Sequence, residues 1–182
     1  MAVISPKLTY QDLLETPDDG KRYEIIDGQL FVSASPLLPH QRAVWNWGCD
    51  FFRQAEQAGL GTAFGNPVDV VFDHFNTTVP DLVFILAERS HIMTDANIQG
   101  PPDIVVEALS PSTRRRDLGI KKQLYARFGV PWYYILDAGR KTVQPLALRN
   151  GVYEELPLLG EGDTLTCPLL PGIAMPVAAI FK

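Results

Sequence analysis

The chain has 182 residues and a formal net charge of −5, with 46% hydrophobic and 20% charged residues. This balance is typical of a globular protein and excludes a disordered or fibrous chain. It also excludes a protein that holds nucleic acid through overall positive charge, although a local basic patch remains compatible with binding. At this length we expect one domain over residues 1–182, large enough to bury a core without disulfides or structural metals.

The cysteines and the hydropathy pattern indicate a cytoplasmic protein. Cys49 and Cys167 have neither the spacing of a metal site nor that of a disulfide framework, which favours a reducing compartment. The first residues lack the apolar run of a signal peptide, and no segment approaches the length of a membrane span. We therefore expect no membrane partner. The sequence also lacks a P-loop and a GxGxxG motif, so we expect no nucleotide cofactor.

The first half of the chain predicts two helices, a hairpin and two strands. Asp27-Gly28 favours the positive φ values of a tight hairpin turn, and the helical period after residue 40 places Val44, Trp47 and Phe51 on one face. In chain order the predicted elements are a helix at 10–15, hairpin strands at 23–26 and 29–32, a helix at 40–58, and strands at 68–72 and 79–86 joined by a polar loop at 73–77.

The second half predicts a strand–helix–strand unit followed by another hairpin. The strand at 104–109 is almost entirely apolar, as expected at the centre of a sheet that is covered on both faces. A helix at 117–128 connects it to a strand at 132–136, and such a crossover favours parallel pairing. Strands at 142–148 and 152–156 flank Asn150-Gly151. We predict an α/β fold with a mixed sheet, a helix on each face and added β-hairpins.

Positive charge is concentrated between residues 110 and 127, where the net charge is +5 against −10 for the remainder of the chain. One interpretation is a solvated helix start. The other is an anion site, because Arg114, Arg115 and Arg116 lie where the helix dipole disfavours cations, and a locally unfavourable choice often marks a functional site. A phosphate backbone is one candidate anion. The patch also includes Lys122.

Three acidic residues occur within apolar strand patterns. Asp81 opens the segment 81–86, Glu107 lies inside 104–109, and Glu24 lies inside 23–26. Glutamate and aspartate are rarely buried unless they are paired, hydrogen-bonded or bound to a metal. Each acid could instead face solvent or pair with a surface arginine. The combination of Asp81 and Glu107 favours a buried site over this second interpretation.

The helical period at 117–128 places Lys121 in the middle of the apolar face and Lys122 on its edge. A lysine that faces a sheet requires a carboxylate, and the preceding strand offers Glu107. The alternative is a side chain that extends along the face to water. Two carboxylates near an inward lysine form a reasonable Mg²⁺ site, in which the ion activates a water and the lysine either orients that water or stabilises charge in the transition state.

These residues resemble the PD-(D/E)XK nuclease superfamily, in which Pro-Asp is followed by an acidic residue and a lysine. More narrowly, the chain is similar to the Uma-type family of restriction endonucleases over RYEIIDGQL at 22–30, SASPLLPH at 33–40, VPDLVF at 79–84, PPDIVVEALSPSTRRRDLGIKKQLYARFGVPWYYILD at 101–137 and RNGVYEE at 149–155. The resemblance implies a restriction-endonuclease-like core at about residues 20–156 and metal-dependent hydrolysis of phosphodiester bonds.

The resemblance also implies roles for individual residues. Asp81 and Glu107 would be the metal ligands for Mg²⁺, with Mn²⁺ as a substitute and the Ala108 carbonyl as an additional ligand. The superfamily lysine would stand two residues after the glutamate, where this chain has Leu109. Lys121 matches the lysine that family members supply from the following helix. Glu24 matches the acidic residue of the early hairpin and would act as an auxiliary ligand or as a partner of the lysine.

Two further residues are expected at the border of the site. His40 matches the histidine that follows Ser-Pro in the family, although a structural role for it is the simpler interpretation. Ser110 follows Glu107 closely and would hydrogen-bond at the site.

The leading hypothesis is a Mg²⁺-dependent endonuclease that acts on DNA, with Asp81, Glu107, Lys121 and Glu24 as catalytic residues. One alternative is a nuclease fold that binds nucleic acid or serves assembly without catalysis. Another is a hydrolase of a different phosphate ester. The apolar residues 132–134 and 169–181 leave room for a homodimer interface.

Overall fold

The structure is a computed structural model that describes residues 6–65 and 67–182. The strands are β1 Arg22–Ile26, β2 Gln29–Ser33, β3 Gly61–Gly65, β4 Val70–Asp73, β5 Asn76–Thr78, β6 Leu82–Leu86, β7 Ile98–Gln99, β8 Ile104–Ala108, β9 Trp132–Asp137, β10 Thr142–Arg149, β11 Val152–Glu155, β12 Thr164–Thr166 and β13 Ala174–Pro176. The α-helices are α1 Tyr10–Leu14, α2 Leu38–Trp47, α3 Arg53–Gln57, α4 Arg114–Arg116, α5 Lys122–Arg127 and α6 Val177–Ile180. A 3₁₀-helix spans Ala87–Ile92, and π-helical turns span Gly48–Phe52 and Asp117–Lys121.

Within the described ranges the strands form three sheets. The central sheet has the order β11-β10-β9-β8-β6-β3, the second sheet has the order β2-β1-β5-β4-β7, and β12 pairs with β13. In the central sheet β8 and β9 are parallel, while β6 pairs antiparallel with β8 and β10 pairs antiparallel with β9. The helical segment at 114–127 connects the parallel pair. The predicted crossover and the predicted mixed α/β class are therefore confirmed.

Helices cover the central sheet on both faces. Trp47 and Phe51 of the segment at 38–57 pack with one core cluster, and Leu124 and Tyr125 of α5 pack with the other. Every residue of β8 is buried. A strand that is covered on both faces has no solvent side, which explains why its sequence is apolar throughout except at Glu107.

The long helical segment differs from a regular helix at its centre. The π-turn at Gly48–Phe52 inserts an extra residue into the helical repeat, so that Phe51 and Phe52 are both fully buried. A regular helical period places Phe51 and Phe52 100° apart and predicts burial of Phe51 only. Ala58, which the period places on the apolar face, is exposed because α3 ends at Gln57.

The second sheet contains a strand that was predicted as loop. Residues 73–77 were expected to form a polar connection, but Asn76–Thr78 forms β5, which lies between β1 and β4 and is buried along its whole length. Its polar side chains do not predict a strand, although β1 and β4 pair with it on its two sides. The strand predicted at 79–86 begins only at Leu82, since Pro80 has no N–H to donate to a ladder. Asp81 therefore lies immediately before β6.

The predicted hairpin turns are confirmed by positive φ angles, which are 52° and 78° at Asp27 and Gly28 and 50° and 80° at Asn150 and Gly151. The strands β3, β7, β12 and β13 and helix α6 had no counterpart in the sequence prediction. Among the described residues, no helix has the length and apolar character needed to cross a membrane.

Candidate active site

A cleft of about 270 Å³ opens where the two larger sheets meet the helical segments. β1 supplies Glu24, the residue before β6 is Asp81, β8 supplies Glu107, and the π-turn at 117–121 supplies Lys121 at its last position. All of these side chains line the cleft, and all are buried. These four residues come from separate parts of the sequence and meet at the cleft through β1, the antiparallel pair β6 and β8, and the π-turn.

Asp81 is held by hydrogen bonds to both carboxylate oxygens. Arg22 Nη1 donates to Oδ1 at 2.7 Å, while His40 Nε2 and the Ala108 backbone N–H donate to Oδ2 at 3.0 and 2.8 Å. Burial alone would raise the pKa of Asp81, but His40, the Arg22 guanidinium and the Ala108 N–H together lower it to about 2. Asp81 is therefore an anionic carboxylate over the physiological range.

Lys121 joins Glu24 to Glu107 at the centre of the site. Its Nζ lies 2.8 Å from Glu24 Oε1 and 2.5 Å from Glu107 Oε1, and its side chain is 3% exposed. Burial alone would lower the pKa of Lys121, but the charges of Glu107, Glu24 and Asp117 raise it above its usual value. The inward orientation predicted for this lysine is confirmed, and its ammonium group is a fixed positive charge.

Glu107 lies in a more crowded negative environment. Its Oε1 also accepts a hydrogen bond of 2.7 Å from the Tyr125 hydroxyl. Burial raises the pKa of Glu107 to about 8, and the charges of Asp117, Asp81 and Glu24 act in the same direction, while Lys121 opposes them. One lysine is thus shared between acidic residues, and it does not offset the burial of Glu107, whose carboxyl group is largely protonated at pH 7.

Arg116 and Asp117 complete what we call the buried charge cluster, which consists of Arg22, Glu24, Asp81, Glu107, Arg116, Asp117 and Lys121. Arg116 donates to the Ser33 hydroxyl, lies 3.4 Å from Glu24 and stacks over the Phe31 ring at 5.6 Å. Asp117 lies 3.9 Å from Lys121, one helical turn away. Within the described residues, the cluster holds four acidic groups and three cations, so it would carry a net negative charge only if every acidic group were ionised.

Comparison with known proteins identifies the group to which this chain is related. A family model with the description "Uma2: Putative restriction endonuclease" matches residues 9–178. The chain belongs to this family. The resemblance seen in the sequence is therefore confirmed, and its residues extend over nearly the whole chain.

A solved structure shares the fold. The crystal structure of a "putative nuclease belonging to DUF820" from Anabaena variabilis has a TM-score of 0.79 and 17% sequence identity, and the match covers 96% of this chain and 97% of that chain. At this identity the likeness shows a common fold. None of the curated proteins is a match for the chain.

The two residues expected at the border of the site of this Uma2 family member both line the cleft. His40 contacts Asp81 directly, and its Nδ1 is buried without a hydrogen-bond partner among the described residues. Ser110 hydrogen-bonds through its hydroxyl to Thr113 Oγ1 at 2.9 Å and to Ser112 Oγ at 3.1 Å, at the start of the helical segment. Its bonds thus order the turn that leads into α4.

The predicted basic patch is divided by the structure. Arg116 turns into the cleft, whereas Arg114 pairs with Asp137 at 3.0 Å and Lys122 pairs with Glu155 at 2.7 Å. Arg115 is exposed and forms no hydrogen bond or ion pair with any described residue. The four cations therefore face different surroundings and do not form one continuous surface.

Sequence reasoning missed three members of the site, namely Arg22, Asp117 and Tyr125. Arg22 precedes Glu24 by two residues on β1, and alternate residues of a strand share a face. Asp117 precedes Lys121 by four residues, the spacing of neighbours on a helix surface. Both positions carried a usable signal once Glu24 and Lys121 were assigned to the interior.

The donor set fits a hard divalent cation that keeps most of its water. Mg²⁺ takes oxygen ligands and is commonly held by only one or two carboxylates, which Asp81 and Glu107 provide at one cleft. The raised pKa of Glu107 means that its ionised form lacks a full counter-charge, which a bound cation would supply. Within residues 6–65 and 67–182, however, no three His, Cys, Asp or Glu side chains form a ready-made metal cluster. Water and a backbone carbonyl would have to supply the other ligands.

Proposed function

We propose that this protein is a metal-dependent endonuclease that hydrolyses phosphodiester bonds of DNA. Asp81 and Glu107 would hold Mg²⁺, with Mn²⁺ as a substitute and the Ala108 carbonyl as a further ligand. The observation that carries this proposal is the burial of Lys121 between Glu24 and Glu107 in the cleft that also contains Asp81. A protein that used these charges only for stability would gain as much from apolar residues of similar volume.

The chain's own residues have distinct parts in this mechanism. Mg²⁺ lowers the pKa of a bound water and stabilises negative charge on a phosphoryl oxygen when it is present. Lys121 keeps its proton because its neighbours raise its pKa, so it stabilises developing negative charge and does not accept a proton. Glu24 and Tyr125 fix the geometry, the first by holding Lys121 and the second by holding Glu107.

The proposed substrate is DNA because the family description names a restriction endonuclease, and two arginines at or beside the cleft support this proposal. Arg116 lines the cleft, and Arg115 is exposed one residue before it. The net charge of −5 limits the electrostatic contribution to affinity. We therefore expect weak, salt-sensitive binding that a metal ion strengthens.

The test is cleavage of supercoiled, linear and single-stranded DNA in Mg²⁺ or Mn²⁺, with Asp81→Asn compared with Asp103→Asn. Both aspartates are buried against an arginine, but Asp103 lies outside the cleft. We expect Asp81→Asn to lose at least ~100-fold in rate, as expected for removal of a charged group that acts in the transition state. Asp103→Asn should cleave at the parent rate. Intact DNA in every metal, or equal rates for the two variants, would contradict the proposal.

A second candidate is a nuclease fold that binds nucleic acid without cleaving it. The observation in its favour is that both oxygens of Asp81 already accept hydrogen bonds from the chain. Gel retardation of DNA separates the two functions. The binding module predicts retardation that is equal with and without Mn²⁺ and equal in Glu107→Gln, whereas the endonuclease predicts a dependence on both.

A further inference from the structure

Arg22 is bound to one carboxylate oxygen of Asp81, the residue proposed as a metal ligand. We propose that Arg22 is a built-in cation that holds the Asp81 carboxylate in the metal-free protein and that a divalent ion must displace. This inference rests on the proposed metal site at Asp81. It assigns to Arg22 the role of a positioning residue that sets the affinity for the metal.

The contacts of Asp81 show what a metal ion would meet. Arg22 Nη1 lies 2.7 Å from Oδ1, whereas Oδ2 accepts from His40 at 3.0 Å and from the Ala108 N–H at 2.8 Å. The backbone N–H is fixed by strand β8, and His40 is buried on helix α2. Oδ1 is therefore the oxygen whose partner is neither a backbone group of a strand nor a side chain from a helix.

Electrostatics makes the guanidinium and a divalent ion competitors at this oxygen. A carboxylate oxygen has two lone pairs, so geometry alone would admit both cations. Their positive charges, however, would lie within a few ångströms of each other in a partly dehydrated cleft, where repulsion is weakly screened. A bound ion would thus weaken the interaction between Asp81 and Arg22. By the same amount, Arg22 would lower the affinity of Asp81 for the ion.

The structure also provides space for the displaced side chain. Arg22 lines both the cleft and an adjoining open groove of about 830 Å³, together with Asp81, His40, Ser35 and Pro36. Its side chain is 20% exposed, against 3% for Asp81. Rotation of the arginine into the groove would leave Asp81 in place, because His40 and the Ala108 N–H continue to hold Oδ2.

The chain contains a matched pair that serves as an internal control. Arg89 Nη1 donates to Asp103 Oδ1 at 2.7 Å, with side-chain exposures of 28% and 4%. Asp103 Oδ2 accepts from the Leu86 N–H at 2.9 Å, as Asp81 Oδ2 accepts from the Ala108 N–H. The two pairs share donor atom, distance and a strand N–H, but neither Arg89 nor Asp103 lines the cleft.

The experiment measures direct Mn²⁺ binding by calorimetry to the full chain and to the variants Arg22→Met and Arg89→Met. We expect Arg22→Met to bind Mn²⁺ about tenfold more tightly than the parent, since a competing charge is removed. Arg89→Met should bind Mn²⁺ with the parent affinity. Both variants should melt at a lower temperature than the parent without metal, because each leaves a buried aspartate without its arginine. A purely structural role for Arg22 predicts the same loss of stability with no gain in affinity.

A second variant keeps the test decisive if Arg22→Met does not fold. Arg22→Gln retains an N–H donor for Asp81 but removes the charge, and it should also bind Mn²⁺ more tightly than the parent. If the parent binds Mn²⁺ and neither Arg22 variant binds it more tightly, the inference is wrong while the metal site stands. If neither the parent nor the variants bind Mn²⁺, the metal-dependent function itself is wrong, and the inference is overturned with it.

Discussion

Two aspartates of this protein are buried against an arginine in nearly the same way, yet their surroundings differ. Asp103 has Arg89 and a backbone N–H as its partners and lies outside the cleft. Asp81 has Arg22, His40 and a backbone N–H, and it shares the cleft with Glu24, Glu107 and Asp117. The first pair is locally neutral, whereas the second belongs to a cluster in which carboxylates outnumber cations among the described residues.

The difference separates buried charged groups that stabilise the folded state from buried charged groups that lower its stability. A neutral buried pair can be retained for its own hydrogen bonds. A cluster in which acidic groups outnumber cations opposes folding, because burial desolvates its ionised groups and shifts Glu107 toward its protonated form, so its retention indicates a task beyond stability.

The largest effect is expected for Lys121→Met compared with Lys122→Met. Lys121 is 3% exposed and contacts Glu24 and Glu107, so its loss leaves buried carboxylates without their shared cation. We expect about 3–5 kcal/mol lower free energy of unfolding, the usual cost of removing one partner of a buried ion pair. Lys122 is 26% exposed and pairs with Glu155, which is 62% exposed. Its loss should cost less than ~1 kcal/mol.

Urea unfolding at pH 7 without metal measures both variants, and circular dichroism of each establishes that it is folded at the outset. Comparable unfolding free energies for Lys121→Met and Lys122→Met would show that the cluster does not depend on its central lysine. The buried Lys121 would then contribute no more to stability than the exposed Lys122.

The next prediction compares Glu107→Gln with Asp103→Asn. Glutamine keeps an oxygen that can accept from Lys121 and Tyr125, and it is neutral, like the protonated glutamate that a pKa of about 8 favours at pH 7. We expect Glu107→Gln to leave stability unchanged or to raise it, by up to ~1 kcal/mol. Asp103→Asn should lower stability by about 1–3 kcal/mol, because Arg89 loses its charged partner.

Thermal and urea unfolding of these two variants should therefore differ in sign. Loss of stability in Glu107→Gln as large as that in Asp103→Asn would show that Glu107 is as well compensated as Asp103. In that case the ionised Glu107 would have a full counter-charge in its cluster, whether or not Glu107→Gln cleaves DNA.

The centre of the site could be predicted because two periodicities point to the same place. The 3.6-residue period directs Lys121 toward the sheet, and a carboxylate inside an all-apolar strand directs Glu107 toward the helices. Each signal is local, so neither needs knowledge of the tertiary structure. The parallel pairing of β8 and β9 followed in the same way from the intervening helix.

Other features depend on contacts that no local pattern contains. β5 is polar in sequence and becomes a strand because β1 and β4 pair with it on both sides. Phe52 is buried because the π-turn shifts the helical repeat by one residue. Arg22 is part of the site because β1 faces the cleft, and alternation along β1 indicates this placement only once Glu24 is assigned to the interior.

The division of the basic patch could be predicted from the sequence only in part. The helical segment begins at Arg114 and not at the predicted residue 117. Successive helical residues are 100° apart, so Arg116 projects about 200° away from Arg114. An earlier predicted start would have separated the arginine in the cleft from the two outside it.

The smallest effect is expected for Arg115→Ala, which is compared with Arg114→Ala. Arg115 is exposed and has no ion-pair partner among the described residues, so its loss should change the unfolding free energy by less than ~0.5 kcal/mol. If Arg115 contacts a DNA phosphate, the slope of log affinity against log salt should decrease by about 1. Arg114 is already neutralised by Asp137 at 3.0 Å, so Arg114→Ala should change this slope less. DNA binding measured in Ca²⁺ over a range of salt concentrations gives both slopes, and equal slopes in the parent and Arg115→Ala would remove Arg115 from the proposed DNA contact.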